Sequence, residues 1–206
     1  MSLDIRAEAL TPAALSAHAA IPIAFVVDQI LQVRLLDGGL GGMSLTQAAV
    51  TDPYVKDYDA IEGAEPQRWP DRFDVSNWGL ICARRDGAVV GGAVIATRTP
   101  GLHMLDSRDD LAVLWDIRVS PRERGRGIGS ALFRAAGDWA RARGCRWLKI
   151  ETQNINVPAC RFYHKMGCTV GAIDRFAYPG QPAEVQLLWW KALASGKGGA
   201  EHVRAV

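Results

Sequence analysis

Cysteine, surplus charge and long hydrophobic runs are all scarce in this chain of 206 residues, and each scarcity excludes a class of protein. The four cysteines form no C-x-x-C pair and no metal-ligand spacing, so we predict neither a metal site nor a disulfide framework. A formal net charge of +2, from 24 basic and 22 acidic residues, gives no global sign of nucleic-acid binding. Nucleic acid is therefore not an expected partner.

Segments that could enter or cross a membrane are also missing from the sequence. The longest apolar runs, such as residues 21–27 with their proline, are far too short to span a bilayer. The N-terminus lacks the basic region, apolar core and cleavage site of a signal peptide. Because free thiols are typical of a reducing compartment, we expect a cytoplasmic protein without a membrane partner.

The composition that is present is typical of a globular protein, with 49% hydrophobic and 22% charged residues. This length most simply forms one domain. We predict that domain over residues 21–194, a loose arm or short helix over residues 1–20, and a flexible tail over residues 195–206. Residues 52–74 are polar and irregular, and such a segment is usually functional or disordered.

The order of periodic segments predicts an α+β (mixed α/β) fold. Asp86-Gly87 is a strong signal for a hairpin between two of the strands. Helices are predicted from the region of residue 128 to residue 143 and over residues 157–166. Strands are predicted over residues 25–36, 78–84, 88–97, 111–119, 147–152, 170–178 and 184–192.

A glycine-rich turn over residues 122–130 lies between a predicted strand and a predicted helix. Gly125, Gly127 and Gly129 remove the Cβ atoms that would keep a ligand away from the backbone. The first N–H groups of a helix have no partner within the helix, and they lie at the positive end of its dipole. The turn therefore predicts a phosphate or pyrophosphate site.

Two phosphate-binding patterns fit this turn poorly. A P-loop needs a lysine followed by serine or threonine, and the turn has no such pair. The dinucleotide pattern G-x-G-x-x-G begins at Gly125, but its third glycine position holds Ser130, and Glu151 is only a loose candidate for its acidic residue. A packing turn with solvated arginines is the non-functional alternative.

A third pattern fits, and a second block of sequence supports it. Residues 124–129 read R-x-x-G-x-G, and residues 156–167 read N-x-x-A-x-x-F-Y-x-x-x-G. Both blocks resemble, in the same order, the conserved blocks of the GNAT N-acetyltransferases. Residues 114–119 and 151–163 are similar to the streptothricin acetyltransferases within that family. The resemblance implies a GNAT fold: a central twisted, mostly antiparallel sheet with a splayed parallel strand pair and flanking helices.

The resemblance further implies that acetyl-coenzyme A is the acetyl donor. Backbone groups of residues 117–119 would pair with its pantetheine arm, and main-chain N–H groups of the glycine turn would hold its pyrophosphate. Asn156 would bind near the pantetheine. The implied cofactor-binding residues are Ile117, Arg118, Val119, Arg124, Gly125, Arg126, Gly127, Ile128, Gly129, Ser130, Asn156, Ala159, Phe162 and Tyr163.

The implied reaction is direct acetyl transfer to an amine, with a small-molecule amine as the partner. A primary alkyl amine has a pKa of about 10.4, so it arrives protonated and must lose a proton before it attacks. Asp116 and Glu151 are the candidate proton acceptors, and Tyr163 stands at the position of the family's general acid. The structural alternatives are a partner of the N-terminal helix or a surface charge for each carboxylate, and a core aromatic for Tyr163.

The sequence determines neither the acceptor amine nor the oligomeric state. The streptothricin subgroup tends to carry an acidic residue where this chain has Trp115, so a different amine is an alternative. The acidic residues between Asp52 and Glu65 would either gather a cation or form a solvated loop. Acetylation of a protein or peptide, a non-catalytic acetyl-coenzyme A-binding module and a homodimer are further hypotheses. The four histidines are given little weight, and His18 is placed in the arm.

Overall fold

The computed structural model describes residues 2–193, which form a seven-stranded sheet and a separate two-stranded ribbon. The sheet has the spatial order β1-β4-β5-β6-β7-β9-β8, and the ribbon is made of β2 and β3. The strands are Leu3–Glu8 (β1), Phe25–Leu35 (β2), Met43–Lys56 (β3), Gly79–Arg85 (β4), Ala88–Thr97 (β5), Leu111–Val119 (β6), Trp147–Gln153 (β7), Thr169–Asp174 (β8) and Gln186–Ala192 (β9). The α-helices are Pro12–Ala19 (α1), Trp69–Arg72 (α2), Ile128–Arg141 (α3) and Val157–Lys165 (α4).

Within the large sheet, one strand pair is parallel and the others are antiparallel, which confirms the predicted fold class. The parallel pair is β6 and β7, joined from Leu111 opposite Trp147 to Leu114 opposite Ile150. Beyond these residues β6 continues along β5, whereas β7 continues along β9. The two strands therefore part, and a gap opens in the middle of the sheet.

Helices cover the two faces of the sheet differently. The side chains of α3 and α4 pack on one face, which we call the helix face, where Leu132 and Phe133 are fully buried. The apolar residues of α3 recur at helical spacing and form one buried stripe. The opposite face, which we call the front face, is covered by α1, α2 and their flanking loops, with Leu15 and Trp69 in its core.

The N-terminal segment contains a short helix, one of the two alternatives predicted for residues 1–20, and also a strand that was not predicted. Residues 3–8 form β1, which pairs antiparallel with β4, and residues 12–19 form α1. Glu8 accepts hydrogen bonds from Arg84 at 2.8 and 2.9 Å, which ties this edge strand to the sheet. Most side chains of β1 are exposed, so the sequence carries no alternation that would reveal a strand.

The ribbon contains a second difference from the sequence prediction. Residues 43–51 were not predicted as a strand, and residues 52–56 lie in β3 rather than in an irregular segment. Most of β3 is exposed or half-buried, so its hydrophobic pattern is weak. The tail predicted for residues 195–206 lies outside the described residues.

The ribbon attaches to the sheet next to the gap. Leu31 in β2 donates its backbone N–H to the carbonyl of Asn154 at 2.9 Å, and the Asn154 side chain donates to the Leu31 carbonyl at 3.1 Å. The same side chain accepts from the backbone N–H of Val185 at 2.8 Å. One buried asparagine thus joins three segments of the chain. Within residues 2–193, no helix has the length and apolar character needed to cross a membrane.

Candidate active site

A β-bulge in β6 marks the start of the gap. Val94 of β5 pairs with Asp116 and Ile95 pairs with Leu114, so Trp115 is an extra residue in β6. The bulge directs the side chains of both Trp115 and Asp116 to the front face, where they contact Trp69 and His18 respectively. From residue 115 onward, the described part of β7 no longer pairs with β6. That free edge can hydrogen-bond an extended ligand.

The glycine turn at the end of β6 has the geometry of an anion site. Gly125 and Gly127 have φ angles of 78° and 82°, a left-handed conformation that favours glycine. A Cβ atom at either position would meet nothing within 4 Å, so the space beside the backbone is open. Gly127 caps α3 without a side-chain hydrogen bond, which leaves the first N–H groups of the helix accessible.

The arginine side chains around the turn bond to other groups of the protein. Arg124 donates to the Val119 carbonyl at 3.1 Å and to the Pro22 carbonyl at 3.3 Å. Arg126 is 61% exposed and forms an ion pair with Glu123 at 3.4 Å. The backbone of the turn, rather than these side chains, is therefore the part positioned for a phosphate group.

Residues 156–163, at the start of α4, also line the gap. Asn156 accepts a hydrogen bond from the Ala159 N–H at 3.1 Å and so caps α4. Phe162 packs edge-on against Phe133, with ring centroids 5.9 Å apart. A Cβ atom at Gly129 would lie 3.6 Å from the Phe162 ring, so α3 and α4 approach closely at this point.

One cleft of about 810 Å³ runs from the glycine turn, through the gap, to the front face. Its volume is in the range of small-molecule binding sites. It brings together the three predicted catalytic residues, Asp116, Glu151 and Tyr163. All the predicted cofactor-binding residues line it except Arg126.

Tyr163 reaches the cleft from the helix face. Its ring is 6% exposed and packs against Phe133 and Trp189, at centroid distances of 6.2 and 6.3 Å. Burial raises the pKa of its hydroxyl, and the charge of Asp116 raises it further. The raised pKa keeps the hydroxyl protonated at neutral pH. Among the residues that the structure describes it has no hydrogen-bond partner, so its proton is available to a ligand.

Asp116 lies on the other side of the gap, inside a network of charged side chains. It accepts hydrogen bonds from Arg118 at 2.9 Å and from His18 Nε2 at 2.8 Å. Arg118 also donates to Asp59 at 2.6 and 2.8 Å. Burial alone would raise the pKa of Asp116, but His18 and Arg118 outweigh burial and lower it. The carboxylate is therefore held in its charged form.

His18 is a residue of this site that the sequence did not reveal. Its side chain is 1% exposed, and a Cβ atom at Gly92 would lie 2.4 Å from its Nδ1, so that glycine makes room for the ring. His18 and Asp116 are 98 positions apart in the chain. No local pattern connects two residues at such a separation.

Glu151 lies on the front face at the point where β7 leaves β6. Its carboxylate accepts a hydrogen bond from the Tyr178 hydroxyl at 2.6 Å, and Gln153 donates to the same hydroxyl at 2.8 Å. Burial, followed by the hydrogen bond to Glu151, raises the pKa of Tyr178. Tyr178 is a second neighbour of the site that the sequence did not reveal, because it lies outside both conserved blocks.

The family model and the relatives that match this chain are all acetyltransferases. A family model described as the acetyltransferase (GNAT) family matches residues 46–168. The streptothricin acetyltransferase of Escherichia coli is 30% identical, over 81% of this chain and 84% of its own. The streptothricin acetyltransferase of Streptomyces lavendulae is 29% identical, over 69% of this chain and 71% of its own.

Solved structures agree with these relatives. The crystal structure of nourseothricin acetyltransferase superposes with a TM-score of 0.72 at 25% identity, covering 94% of this chain and 100% of that one. A Bacillus anthracis protein solved in complex with acetyl coenzyme A superposes with a TM-score of 0.71 at 25% identity, covering 93% of this chain and 99% of that one.

Proposed function

The chain belongs to the GNAT family of acetyltransferases, and we propose that it transfers the acetyl group of acetyl-coenzyme A directly to the primary amine of a small cationic molecule. One observation carries the proposal. A single cleft connects an open helix N-terminus on the helix face to a group of carboxylates on the front face. Such a cleft lets a phosphate-bearing donor and a cationic acceptor meet at the gap in the sheet.

The donor binds on the helix-face side of the gap. Main-chain N–H groups of residues 127–130 hold the pyrophosphate at the start of α3. The free edge of β6, over residues 117–119, pairs with the pantetheine arm as a strand would. The side-chain oxygen of Asn156 already caps α4, so its amide N–H groups are the part that donates to the cofactor.

The acceptor approaches from the front face and loses its proton there. We assign proton acceptance to Glu151, directly or through water, rather than to Asp116. A carboxylate with a lowered pKa is a weak base, and Arg118 and His18 already occupy the oxygens of Asp116. Asp116 then acts through its negative charge, which stabilises the ammonium ion before the proton leaves.

The chemical step follows from these positions. The neutral amine nitrogen attacks the thioester carbonyl carbon, and a tetrahedral intermediate forms. When that intermediate collapses, the carbon–sulfur bond breaks and the sulfur leaves as a thiolate. A thiol has a pKa of about 8.5, so a nearby acid assists the departure. Tyr163, which stays protonated, gives its proton to the sulfur. The tyrosinate then regains a proton from the positively charged nitrogen of the intermediate, which leaves a neutral amide and a free thiol.

The relatives suggest a first acceptor to test. Both are named streptothricin acetyltransferases, so a streptothricin-type antibiotic is the first candidate, with antibiotic resistance as the biological role. The purified protein should release the coenzyme A thiol from acetyl-coenzyme A when an accepted amine from a panel is added, and mass spectrometry should find the acetylated amine. Binding of coenzyme A without thiol release for any amine would contradict the proposal.

A further inference from the structure

The carboxylate of Glu151 has one hydrogen-bond partner within residues 2–193, the hydroxyl of Tyr178, which donates to Oε1 at 2.6 Å. The other oxygen, Oε2, receives no hydrogen bond from those residues, and Glu151 forms no ion pair with them. Both oxygens of Asp116, by contrast, accept hydrogen bonds from cationic or imidazole donors. Because Glu151 lines the cleft, its Oε2 is the oxygen available to an amine or a water molecule. The other titratable side chains that line the acceptor end are Tyr58, Asp59, Arg72, Asp116 and Arg118.

Gln153 fixes the direction of the hydrogen bond between Tyr178 and Glu151. Its Nε2 donates to the Tyr178 oxygen at 2.8 Å. An amide nitrogen donates and does not accept, so the phenol proton points to Glu151 rather than to Gln153. Burial raises the pKa of Tyr178, so the phenol keeps this proton at neutral pH. Tyr178 is therefore a fixed donor to Glu151 and not a relay for the proton that Glu151 accepts.

The loop that carries Tyr178 is anchored to the ribbon. It runs over residues 175–185, between β8 and β9, and the Tyr178 side chain is half-buried. The Tyr178 carbonyl accepts from the backbone N–H of Gln181 at 2.9 Å. Lys56 in β3 donates to the side chain of Gln181 and to that of Glu184, the latter at 2.5 Å. These contacts fix the position of the Tyr178 hydroxyl relative to β7.

We propose that Tyr178 is a positioning residue for the acetyl transfer, which holds Glu151 by one carboxylate oxygen and leaves the other directed at the acceptor amine. This inference rests on the proposed function, in which Glu151 accepts the proton of the amine. A donor to a carboxylate stabilises its charged form, and only the charged form accepts a proton. The same hydrogen bond restricts rotation of the Glu151 side chain, so its second oxygen stays in place for proton transfer.

The first test follows the titration of Glu151 by NMR of isotope-labelled glutamate carboxyl groups, with Glu151→Gln to identify the resonance. Tyr178→Phe keeps the ring and removes the donor, so Glu151 should titrate about one pH unit higher in this variant. Tyr54→Phe, at an exposed tyrosine of the ribbon, is the matched control and should leave the titration unchanged. The measurement needs neither an acceptor nor turnover. An unchanged titration in Tyr178→Phe overturns the inference and leaves the proposed acetyl transfer intact.

The second test is kinetic and separates positioning from a purely structural role. With an accepted amine, the ratio of kcat/KM in Tyr178→Phe to that in the unaltered protein should fall about tenfold as the pH is lowered through the titration of Glu151. A structural role would lower this ratio equally at every pH, and that result overturns the inference.

A double variant tests whether Tyr178 acts through Glu151. In a Glu151→Gln background, adding Tyr178→Phe should change kcat/KM by less than about twofold, because the carboxylate that the hydroxyl positions is already absent. Additive losses overturn the inference. Full activity in Glu151→Gln alone would overturn both the proposed proton acceptor and the role of Tyr178, whereas an unchanged titration overturns the role of Tyr178 alone.

Discussion

The two ends of the cleft are built in different ways. The proposed donor end, on the helix face, lies along two short segments, residues 117–130 and 156–163, and its phosphate site is made of backbone N–H groups. The acceptor end, on the front face, uses side chains from segments far apart in sequence, including Asp59, Trp69 and Glu151. A backbone site depends on turn geometry and glycine placement, whereas a side-chain site depends on which residues the whole fold brings together. The residues proposed for donor binding therefore follow local sequence patterns, whereas those proposed for the acceptor do not.

Long-range polar pairs hold the acceptor end in place. Lys56 at the end of β3 pairs with the buried Glu184 at 2.5 Å, although the two residues are 128 positions apart. Arg118 and Asp59 are 59 positions apart. Such pairs make the acceptor end sensitive to side-chain changes that the donor end would tolerate.

The largest expected effect is the loss of stability in Arg118→Met, which tests this sensitivity. The change leaves Asp59 and the buried Asp116 without their shared guanidinium, so the free energy of unfolding should fall by roughly 3–5 kcal/mol. Urea unfolding measures it. Arg126→Met, at an exposed arginine of the glycine turn beside the donor end, should change stability by less than about 0.5 kcal/mol. Equal losses in the two variants would remove the contrast between the ends.

The next largest effect is expected for Tyr163→Phe, which separates the chemical step from coenzyme A binding. Tyr163→Phe keeps the ring that packs on Phe133 and Trp189 but removes the hydroxyl. We expect kcat to fall about 100-fold, with the dissociation constant for coenzyme A unchanged, because only proton transfer is lost. Tyr54→Phe, at an exposed tyrosine of the ribbon, is the control. An unchanged kcat for Tyr163→Phe would mean that another group protonates the thiolate.

Local signals account for what the sequence predicted correctly. Asp86 and Gly87 both have positive φ angles, as the predicted tight turn between β4 and β5 requires. β6 has the predicted bounds, because a mostly apolar run between turn signals is a strong strand pattern. The roles assigned to the glycine turn and to Tyr163 stay predictions, although these residues line one cleft.

The rest depends on contacts that no local pattern encodes. β1 was missed because it is an exposed edge strand whose stability comes from pairing with β4. The role of His18 was missed because its partner, Asp116, is distant in the sequence and the hydrogen bond between them forms only in the folded chain. The bulge at Trp115, which directs two successive side chains to one face, also has no sequence signature here.

A moderate effect is expected for His18, which links α1 to the acceptor end. His18→Leu removes the Nε2 donor to Asp116 and should lower the free energy of unfolding by about 1–3 kcal/mol. His18→Gln can present an amide N–H at a similar distance and should recover part of the loss. If the two variants are equally destabilised, the packing of the ring rather than its hydrogen bond explains the effect.

The smallest effect concerns Glu8, far from both ends. Hydrogen bonding to Arg84 lowers the pKa of Glu8 to about 2 in the folded protein, against about 4.3 in the unfolded chain. Its stabilisation is therefore complete above about pH 5 and is lost as the pH falls from 4 toward 2. Glu8→Gln should cost no more than about 1 kcal/mol at pH 7, and the difference from the unaltered protein should vanish near pH 2. A difference that is constant with pH in urea titrations would contradict this assignment.

The separation of the two ends is tested most directly by measuring coenzyme A binding to two variants, one at each end. Gly127→Val forces a branched side chain into a left-handed conformation at the start of α3 and should weaken coenzyme A binding more than tenfold. Trp115→Leu should leave that dissociation constant within about twofold, since the indole lies on the front face. Equal weakening of coenzyme A binding in both variants, or no weakening in Gly127→Val, would contradict the account of one cleft with a backbone-built donor end and a side-chain-built acceptor end.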